Sequence, residues 1–157
     1  MKKISKSLIA TFSLALLVWI PDAWSVGLSI PETKTESGKT IEIPFIIDRI
    51  DNLAGVKLTM RYDRELLTYK EGVRGEKANS LMHVVNDKNP GRLVVVMAGA
   101  KGIEGEKLLI FTLTFQSVSG LKAVQKTKLE IEEVQLMGDD LKKIKCEVKT
   151  EPIFIVP

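Results

Sequence analysis

The chain is poor in the residue types on which most enzymes and metal proteins depend. It contains one cysteine and one histidine in 157 residues, Cys146 and His83. A single cysteine excludes an intrachain disulfide, and a structural metal site needs several convergent ligands such as cysteine and histidine. The Gly-x-Ser-x-Gly segment that would supply a serine nucleophile is missing from the sequence. We therefore predict a non-catalytic protein without metal or cofactor, whose fold depends on packing alone.

Aromatic side chains are also scarce, at 6% of the sequence, and both tryptophans lie within residues 1–25. After that point, four aromatic residues are in phase with the apolar positions of their strands and are predicted to be buried: Phe45, Tyr62, Phe111 and Phe115. Only Tyr69 and Phe154 remain as candidates for exposure. Sugars dock on flat, exposed aromatic rings. A carbohydrate-binding module is therefore an alternative function rather than the first hypothesis.

Residues 1–25 have the layout of a secretory signal peptide. Three lysines lie among the first six residues, a mainly apolar run covers residues 8–20, and Ala23-Trp24-Ser25 is a small-x-small cleavage site. The apolar run is shorter than the roughly 20 residues that span a membrane easily. An uncleaved membrane anchor is the alternative. We predict a single mature domain over residues 26–157, secreted to the periplasm or the extracellular space.

Strand patterns fill the rest of the chain, and no long helical pattern appears. Apolar and polar residues alternate strictly from Val56 to Tyr62, which predicts a half-buried strand with Leu58 inside and Lys57, Thr59 and Arg61 outside. Asp63 is predicted to cap the turn that follows. About eight or nine short strands with turn residues between them predict an all-β fold. We expect an antiparallel β-sandwich of jelly-roll or Greek-key topology.

Several boundaries follow from turn residues and from breaks in the apolar spacing. Asp51-Asn52 predicts a turn, and the small residues from Ala98 to Glu106 predict a loop between two strands. A bulge is predicted at Glu132-Glu133, where the apolar spacing slips. Residues 81–85 are apolar on both faces, so their phase stays open. Asp139-Asp140 near the bulge are interpreted as solvated charges rather than as a loose calcium site.

A candidate binding face follows from the phase of one later strand. If Leu93, Val95 and Met97 point into the core, Val94 and Val96 point outward. We place four further residues on the same face: Lys57, Thr59, Arg61 and Arg92. An apolar centre with a charged rim is typical of a protein interface. The alternative is a strand that a loop or its own neighbours cover.

The order of these strands resembles that of the cohesin domain. The resemblance rests on six landmarks: Gly38 before the Ile41–Ile47 strand, Gly55-Val56-x-Leu58-x-x-x-Tyr62-Asp63-x-x-Leu66-Leu67, Pro90-Gly91-Arg92, Ala98-Gly99-Ala100, Gly102-Ile103-x-Gly105, and Leu109-x-Phe111-x-Leu113-x-Phe115. It extends from about residue 26 to residue 156. Cohesins bind the dockerin module of an enzyme through one flat sheet face. The resemblance therefore implies protein docking, with a link to polysaccharide degradation.

The resemblance has one departure at the face itself. Well-known cellulosomal cohesins carry Asn-x-Asp on the third strand for dockerin contact, and the corresponding positions here are Gly55 and Lys57. A glycine and a cation thus replace an amide and a carboxylate. The departure implies a partner that differs from ordinary dockerins, or a role outside a cellulosome.

The leader gives the first testable prediction. We expect cleavage after Ser25, because the residues at positions 23 and 25 are small and follow the apolar run. Mass spectrometry of the exported protein should find Val26 at the N-terminus. An exported protein that still begins at Met1 would favour a membrane anchor instead.

Overall fold

The computed structural model describes residues 25–157, so the predicted signal peptide up to Trp24 lies outside the described residues. Within this range the chain forms eleven strands and one short 3-10 helix, Glu76–Ala78. The strands are β1 (Val26–Ile30), β2 (Thr33–Glu36), β3 (Thr40–Arg61), β4 (Leu67–Arg74), β5 (Met82–Asn86), β6 (Arg92–Ser117), β7 (Gln125–Thr127), β8 (Glu130–Met137), β9 (Lys143–Ile144), β10 (Cys146–Thr150) and β11 (Ile153–Val156). The predicted count of about eight or nine is slightly exceeded. β2 and β7 are additional and the last stretch divides into three strands, whereas two predicted pairs of strands merge into β3 and β6. The described residues include no helix long and apolar enough to cross a membrane.

Strands β3 and β6 are much longer than predicted and pair with each other along their whole length. The antiparallel register begins at Thr40 opposite Gln116 and ends at Arg61 opposite Arg92. The predicted turn at Asp51-Asn52 and the predicted loop over residues 98–106 are therefore wrong, since both lie inside continuous strands. The two segments face each other, and the register shifts there. Residues typical of turns thus bend a paired ribbon here, as bulges do, without reversing it.

Asp139, which lies in the turn after β8, stabilises this bend. Its carboxylate accepts hydrogen bonds from Asn52 Nδ2 at 2.8 Å and from the Gly102 amide at 3.0 Å. These hydrogen bonds, first the one from Gly102, lower the pKa of Asp139. A Cβ on residue 102 would overlap the Asn52 side chain, which its hydrogen bonds to Asp139 hold in place, so glycine suits this close approach. No group of His, Cys, Asp or Glu in residues 25–157 is arranged to hold a metal ion.

The bend divides the long ribbon between two layers. On one side the strand order is β10-β1-β3-β6-β4, and on the other β5 joins β6 while β8 and β9 extend from β3. Strands β2, β11 and β7 form a smaller sheet. The layers are the predicted sandwich, and most pairs are antiparallel. Two pairs, β1 with β10 and β2 with β11, are parallel, which the prediction of an antiparallel sandwich omitted.

Aromatic contacts in the core show that the layers face each other. Tyr62, just beyond the end of β3, packs edge-on against Phe115 with ring centroids 5.1 Å apart. Phe115 is also the partner of Ile41 at the start of β3. The two ends of β3 therefore meet across the core. Phe45 and Phe111 stack at 4.1 Å within it. Of the four predicted core aromatics, Phe45, Phe111 and Phe115 are buried, and Tyr62 is half-buried against the core.

The turn after β3 is closed by Asp63, as predicted. The Asp63 side chain accepts a hydrogen bond from the Glu65 amide at 2.9 Å, and its carbonyl accepts one from the Leu67 amide at 2.9 Å. Leu67 is buried in the core. Cys146 lies half-buried on β10, where burial raises the pKa of its thiol to about 11. The thiol is thus a packing group at neutral pH.

Leu58 provides a test of the phase of β3. Its side chain is fully buried, so Leu58→Ala should lower the free energy of unfolding by about 2–5 kcal/mol. The matched control is Val124→Ala, another truncation of an aliphatic residue, at a position that is 56% exposed. The control should change stability by less than about 0.5 kcal/mol. Urea denaturation of both variants measures the difference, and equal losses would contradict the assigned phase.

Candidate functional site

The outer surface of the second layer is built by β8, β3, β6 and β5, which lie side by side in that order. Lys57 on β3 lies between Val96 of β6 and Gln135 of β8, and Thr59 lies between Val94 and Glu133. Residues that are paired across strands point to the same face. The structure therefore brings all six predicted site residues to one surface: Lys57, Thr59, Arg61, Arg92, Val94 and Val96. We call this surface the β8-β3-β6-β5 face.

The phase of β6 agrees with the prediction. Leu93, Val95 and Met97 are at most 1% exposed and belong to the core, whereas Val96 is 42% exposed. Val94 is half-buried beside it. Of the predicted outward pair, Val96 is thus exposed and Val94 is partly covered.

Two further exposed apolar residues lie on β5, and sequence reasoning missed both. Met82 is 75% exposed and Val84 is 66% exposed, and Val84 lies directly opposite Val96. We call these three residues, Met82, Val84 and Val96, the apolar stripe. Residues 81–85 are apolar at every position but one, so periodicity could not assign their phase. The register of the hairpin could have assigned this phase, because pairing of Asn86 with Val94 across the loop sets Val84 opposite Val96.

The charged side of the face depends on a bulge in β8. Thr59 pairs with Glu133 and the next residue of β3 pairs with Ile131, so Glu132 is the extra residue of the predicted bulge. The bulge turns two consecutive carboxylates toward the outer face. Glu132 accepts hydrogen bonds from the Nε atoms of Arg61 and Arg92.

Hydrogen bonds shift the pKa values of both bulge carboxylates. Bonds from Arg92 and then Arg61 hold the pKa of Glu132 below its usual range. Lys57 Nζ lies 2.9 Å from Glu133 Oε2, and this contact lowers the pKa of Glu133. All three predicted rim cations are therefore paired with carboxylates within the protein, although Arg61 and Arg92 share one of them. The charged half of the face is an ordered network rather than a set of open charges.

Thr59 occupies the face without being accessible. Its side chain is 2% exposed, and its Oγ1 lies 3.4 Å from Glu133 Oε2. A partner that lies on this face would contact the groups above Thr59. The sequence pattern placed Thr59 correctly on the outer side of β3, but alternation alone does not reveal how far neighbouring side chains cover a residue.

A comparison with protein families identifies the fold. The model of the cohesin domain matches residues 26–153. The chain belongs to the cohesin family. Cohesins are non-catalytic protein-binding modules, which agrees with the predicted resemblance. No curated protein sequence matches this cohesin.

Solved cohesin structures share the architecture at low sequence identity. The sixth cohesin of scaffoldin B from Acetivibrio cellulolyticus, in complex with a Cel5 dockerin, is 18% identical with a TM-score of 0.75, over 83% of this chain and 98% of that one. A non-cellulosomal cohesin from Archaeoglobus fulgidus is 16% identical with a TM-score of 0.74, over 85% of this chain and 93% of that one. The structure of a cohesin–dockerin complex from Clostridium thermocellum is 17% identical with a TM-score of 0.72, over 85% of this chain and 94% of that one. At such identities the likeness establishes the jelly-roll sandwich alone.

The network around Glu132 predicts a pH-dependent contribution to stability. Glu132→Gln should lower the melting temperature at pH 7, because Arg61 and Arg92 lose the carboxylate that they share. The pKa of Glu132 is lower in the folded protein than the value of about 4.3 in the unfolded chain. Its stabilising effect is therefore complete above that unfolded value and disappears as the pH falls through the folded pKa.

Thermal unfolding of both proteins between neutral and strongly acidic pH measures this effect. The difference in melting temperature should be largest near neutrality and should narrow once the pH drops below about 4. Glu147→Gln is the control, since Glu147 is exposed and forms no ion pair within residues 25–157. A difference that stayed constant with pH would contradict the role of the ionised carboxylate.

Proposed function

We propose that this cohesin is a non-catalytic docking module that binds a dockerin-like protein through the β8-β3-β6-β5 face. The apolar stripe is the observation that carries the proposal. Three aliphatic side chains lie next to one another on two paired strands and are 42–75% exposed. Contiguous apolar surface of this kind marks interaction sites on folded domains. Two of the similar structures, from Acetivibrio cellulolyticus and Clostridium thermocellum, are themselves complexes with dockerins.

The layout of the face supports a docking centre on β5 and β6. The apolar stripe lies on these two strands, whereas the ordered charges lie toward β8. An apolar centre bordered by polar groups is the usual anatomy of a protein interface. The departure at Gly55 and Lys57 fits this displacement, because both positions lie on β3, on the side of β6 that faces away from β5. We therefore propose that the partner is anchored nearer the β5 edge than the Asn-x-Asp pattern would imply.

The alternative of a carbohydrate-binding module has less support. The large apolar side chains exposed within residues 25–157 are all aliphatic. Tyr69 packs edge-on against Phe115 at 5.8 Å, and Lys126 Nζ lies 5.8 Å from the ring centroid of Phe154. Both rings that the sequence left as candidates are thus engaged with protein groups. A sugar platform would need open, flat rings.

The lone histidine favours a structural role over a catalytic one. His83 Nε2 lies 3.0 Å from the carbonyl oxygen of Gly72, so the ring links β5 to β4. The side chain belongs to the inward-facing set of β5, opposite Met97. This contact ties together two strands that both pair with β6, one in each layer. It supports the proposal that the module works by binding, without catalysis.

We extend the proposal to location and biological role. The signal-peptide pattern supports export to the periplasm or the extracellular space. An association with polysaccharide degradation would then come through the partner enzyme. The Archaeoglobus fulgidus structure is described as non-cellulosomal, so the cohesin fold alone does not imply a cellulosome.

Substitutions in the apolar stripe test the docking face. The partner is first captured from the secreted proteins of the source organism, with and without calcium, and identified by mass spectrometry. Val84→Asp and Val96→Asp should then weaken binding to that partner by more than about 1 kcal/mol, because a charge replaces a buried apolar contact. Isothermal titration calorimetry measures the affinity.

Val124→Asp is the matched control, since it places the same charge at a position that is 56% exposed and lies outside the face. All three variants should unfold at nearly the wild-type temperature. Normal binding by folded stripe variants would place the partner elsewhere. Unfolding of Val84→Asp would show instead that β5 contributes to the core through its outer side.

A further inference from the structure

One end of the sandwich contains a groove that the docking face does not account for. It has a volume of about 940 Å³ and is bordered by the Asp63 turn, the Pro90-Gly91 loop, the connection from β7 to β8, and the turn at Pro152. The size lies within the range of ligand sites, about 300–1,000 Å³. Four separate segments of the chain thus border an open groove large enough for several residues of a bound chain.

The groove is lined by more cations than carboxylates. Five basic side chains contribute to it, namely Arg61, Arg64, Arg92, Lys126 and Lys128, against the carboxylates of Asp63, Glu65 and Glu130. The Asp63 carboxylate is already engaged by the Glu65 amide at 2.9 Å. With Glu132, which Arg61 and Arg92 share at the border of the groove, five cations meet four carboxylates, so the excess of positive charge is small.

Three of these cations differ from those of the docking face. Arg61 and Arg92 share Glu132, but Arg64, Lys126 and Lys128 have no carboxylate within 4.0 Å among residues 25–157. We call these three residues the groove cations. Lys126 is held near the ring of Phe154 at 5.8 Å, which limits where its ammonium group can lie. The hydroxyl groups of Thr127 and Thr150 also line the groove and can donate hydrogen bonds.

The groove is continuous with the docking face. Arg61 and Arg92 are cross-strand partners at the end of the face, and both also line the groove. A chain that lies on the face and continues past this pair enters the groove. The same partner can therefore occupy both surfaces.

We propose, building on the docking function above, that the groove binds an acidic segment of the partner protein. The carboxylates of aspartate or glutamate side chains would pair with the groove cations, which form no ion pair within residues 25–157. An acidic polysaccharide fits less well, because Tyr62, the aromatic residue of the lining, packs edge-on against Phe115 at 5.1 Å and is turned toward the core. The apolar stripe anchors the partner, and the groove selects for negative charge at one end of it.

A decaglutamate peptide tests the groove without the natural partner. Its titration into the ¹⁵N-labelled protein should shift the backbone amide signals of Arg64, Lys126 and Lys128 more than those of other exposed lysines. The shifts should decrease as salt is added, because the contacts are electrostatic. A decaglutamine peptide of equal length should leave the signals unchanged.

Variants of the groove cations complete the test. Arg64→Glu combined with Lys128→Glu should weaken decaglutamate binding by about tenfold or more. Lys126→Gln combined with Lys128→Gln, which removes charge without reversing it, should give a smaller loss. Lys70→Glu combined with Lys122→Glu is the control, since both lysines are exposed and lie outside the groove. Wild-type binding by the folded charge-reversal variant would overturn the proposal.

Two further outcomes would also overturn it. Uniform shifts at all exposed lysines would show non-specific attraction, and tighter binding of polygalacturonate than of decaglutamate would make the groove a sugar site. Val84→Asp separates this proposal from the docking function, because it should bind decaglutamate normally while losing the captured partner. A failure at the stripe and a failure at the groove are therefore seen in different measurements.

Discussion

The continuous pairing of β3 with β6 is the constraint on which the rest of the structure depends. These strands contain 22 and 26 residues, and both pass through the two layers of the sandwich. The register that buries Leu58 opposite Val95 also sets Lys57 opposite Val96 on the outer surface. A slip of one residue would exchange the inner and outer sets. The core and the docking face thus depend on the same register, and a change of register would alter both.

The bulge in β8 modifies this register at one point and gives the face its two halves. Regular alternation would direct only one of Glu132 and Glu133 outward, but the extra residue directs both there. Individual exposed ion pairs contribute little to stability. Their effect here is mainly geometric, because Arg61 and Arg92 are held by one carboxylate. The ordered charges leave the apolar stripe as the part of the face that is open to a partner.

The sequence predicted those features that depend on local alternation and local turn chemistry. The phase of β3 after Val56, the Asp63 turn and the β8 bulge are all as expected, because each is decided within a few residues. The turn at Asp51-Asn52 and the loop over residues 98–106 failed for a different reason. Glycine, asparagine and aspartate permit a sharp change of direction, but only the long-range partner decides whether the chain bends or reverses. The bend is stabilised by Asp139, which lies 87 residues away from Asn52 along the chain.

The candidate site was predictable to a similar extent. Alternation placed Lys57, Arg61 and Val96 on one surface, but it could not show that the cations would pair with Glu132 and Glu133, since this depends on the register of β8. The exposure of Met82 and Val84 was hidden by the apolar residues on both sides of β5. Pairing across a hairpin, rather than the composition of one strand, was the information needed.

The parallel pairs have a consequence for how the protein is made. β1 is paired with β10, and β2 is paired with β11. The two early strands therefore cannot form these pairs until β10 and β11 have been synthesised. Non-local pairing of this kind slows folding, because the chain must lose conformational entropy before the contacts form. A ribosome that has synthesised only the first hundred residues has released no partner for β1 on its β10 side. The native sandwich therefore cannot form until residues 146–156 have been synthesised.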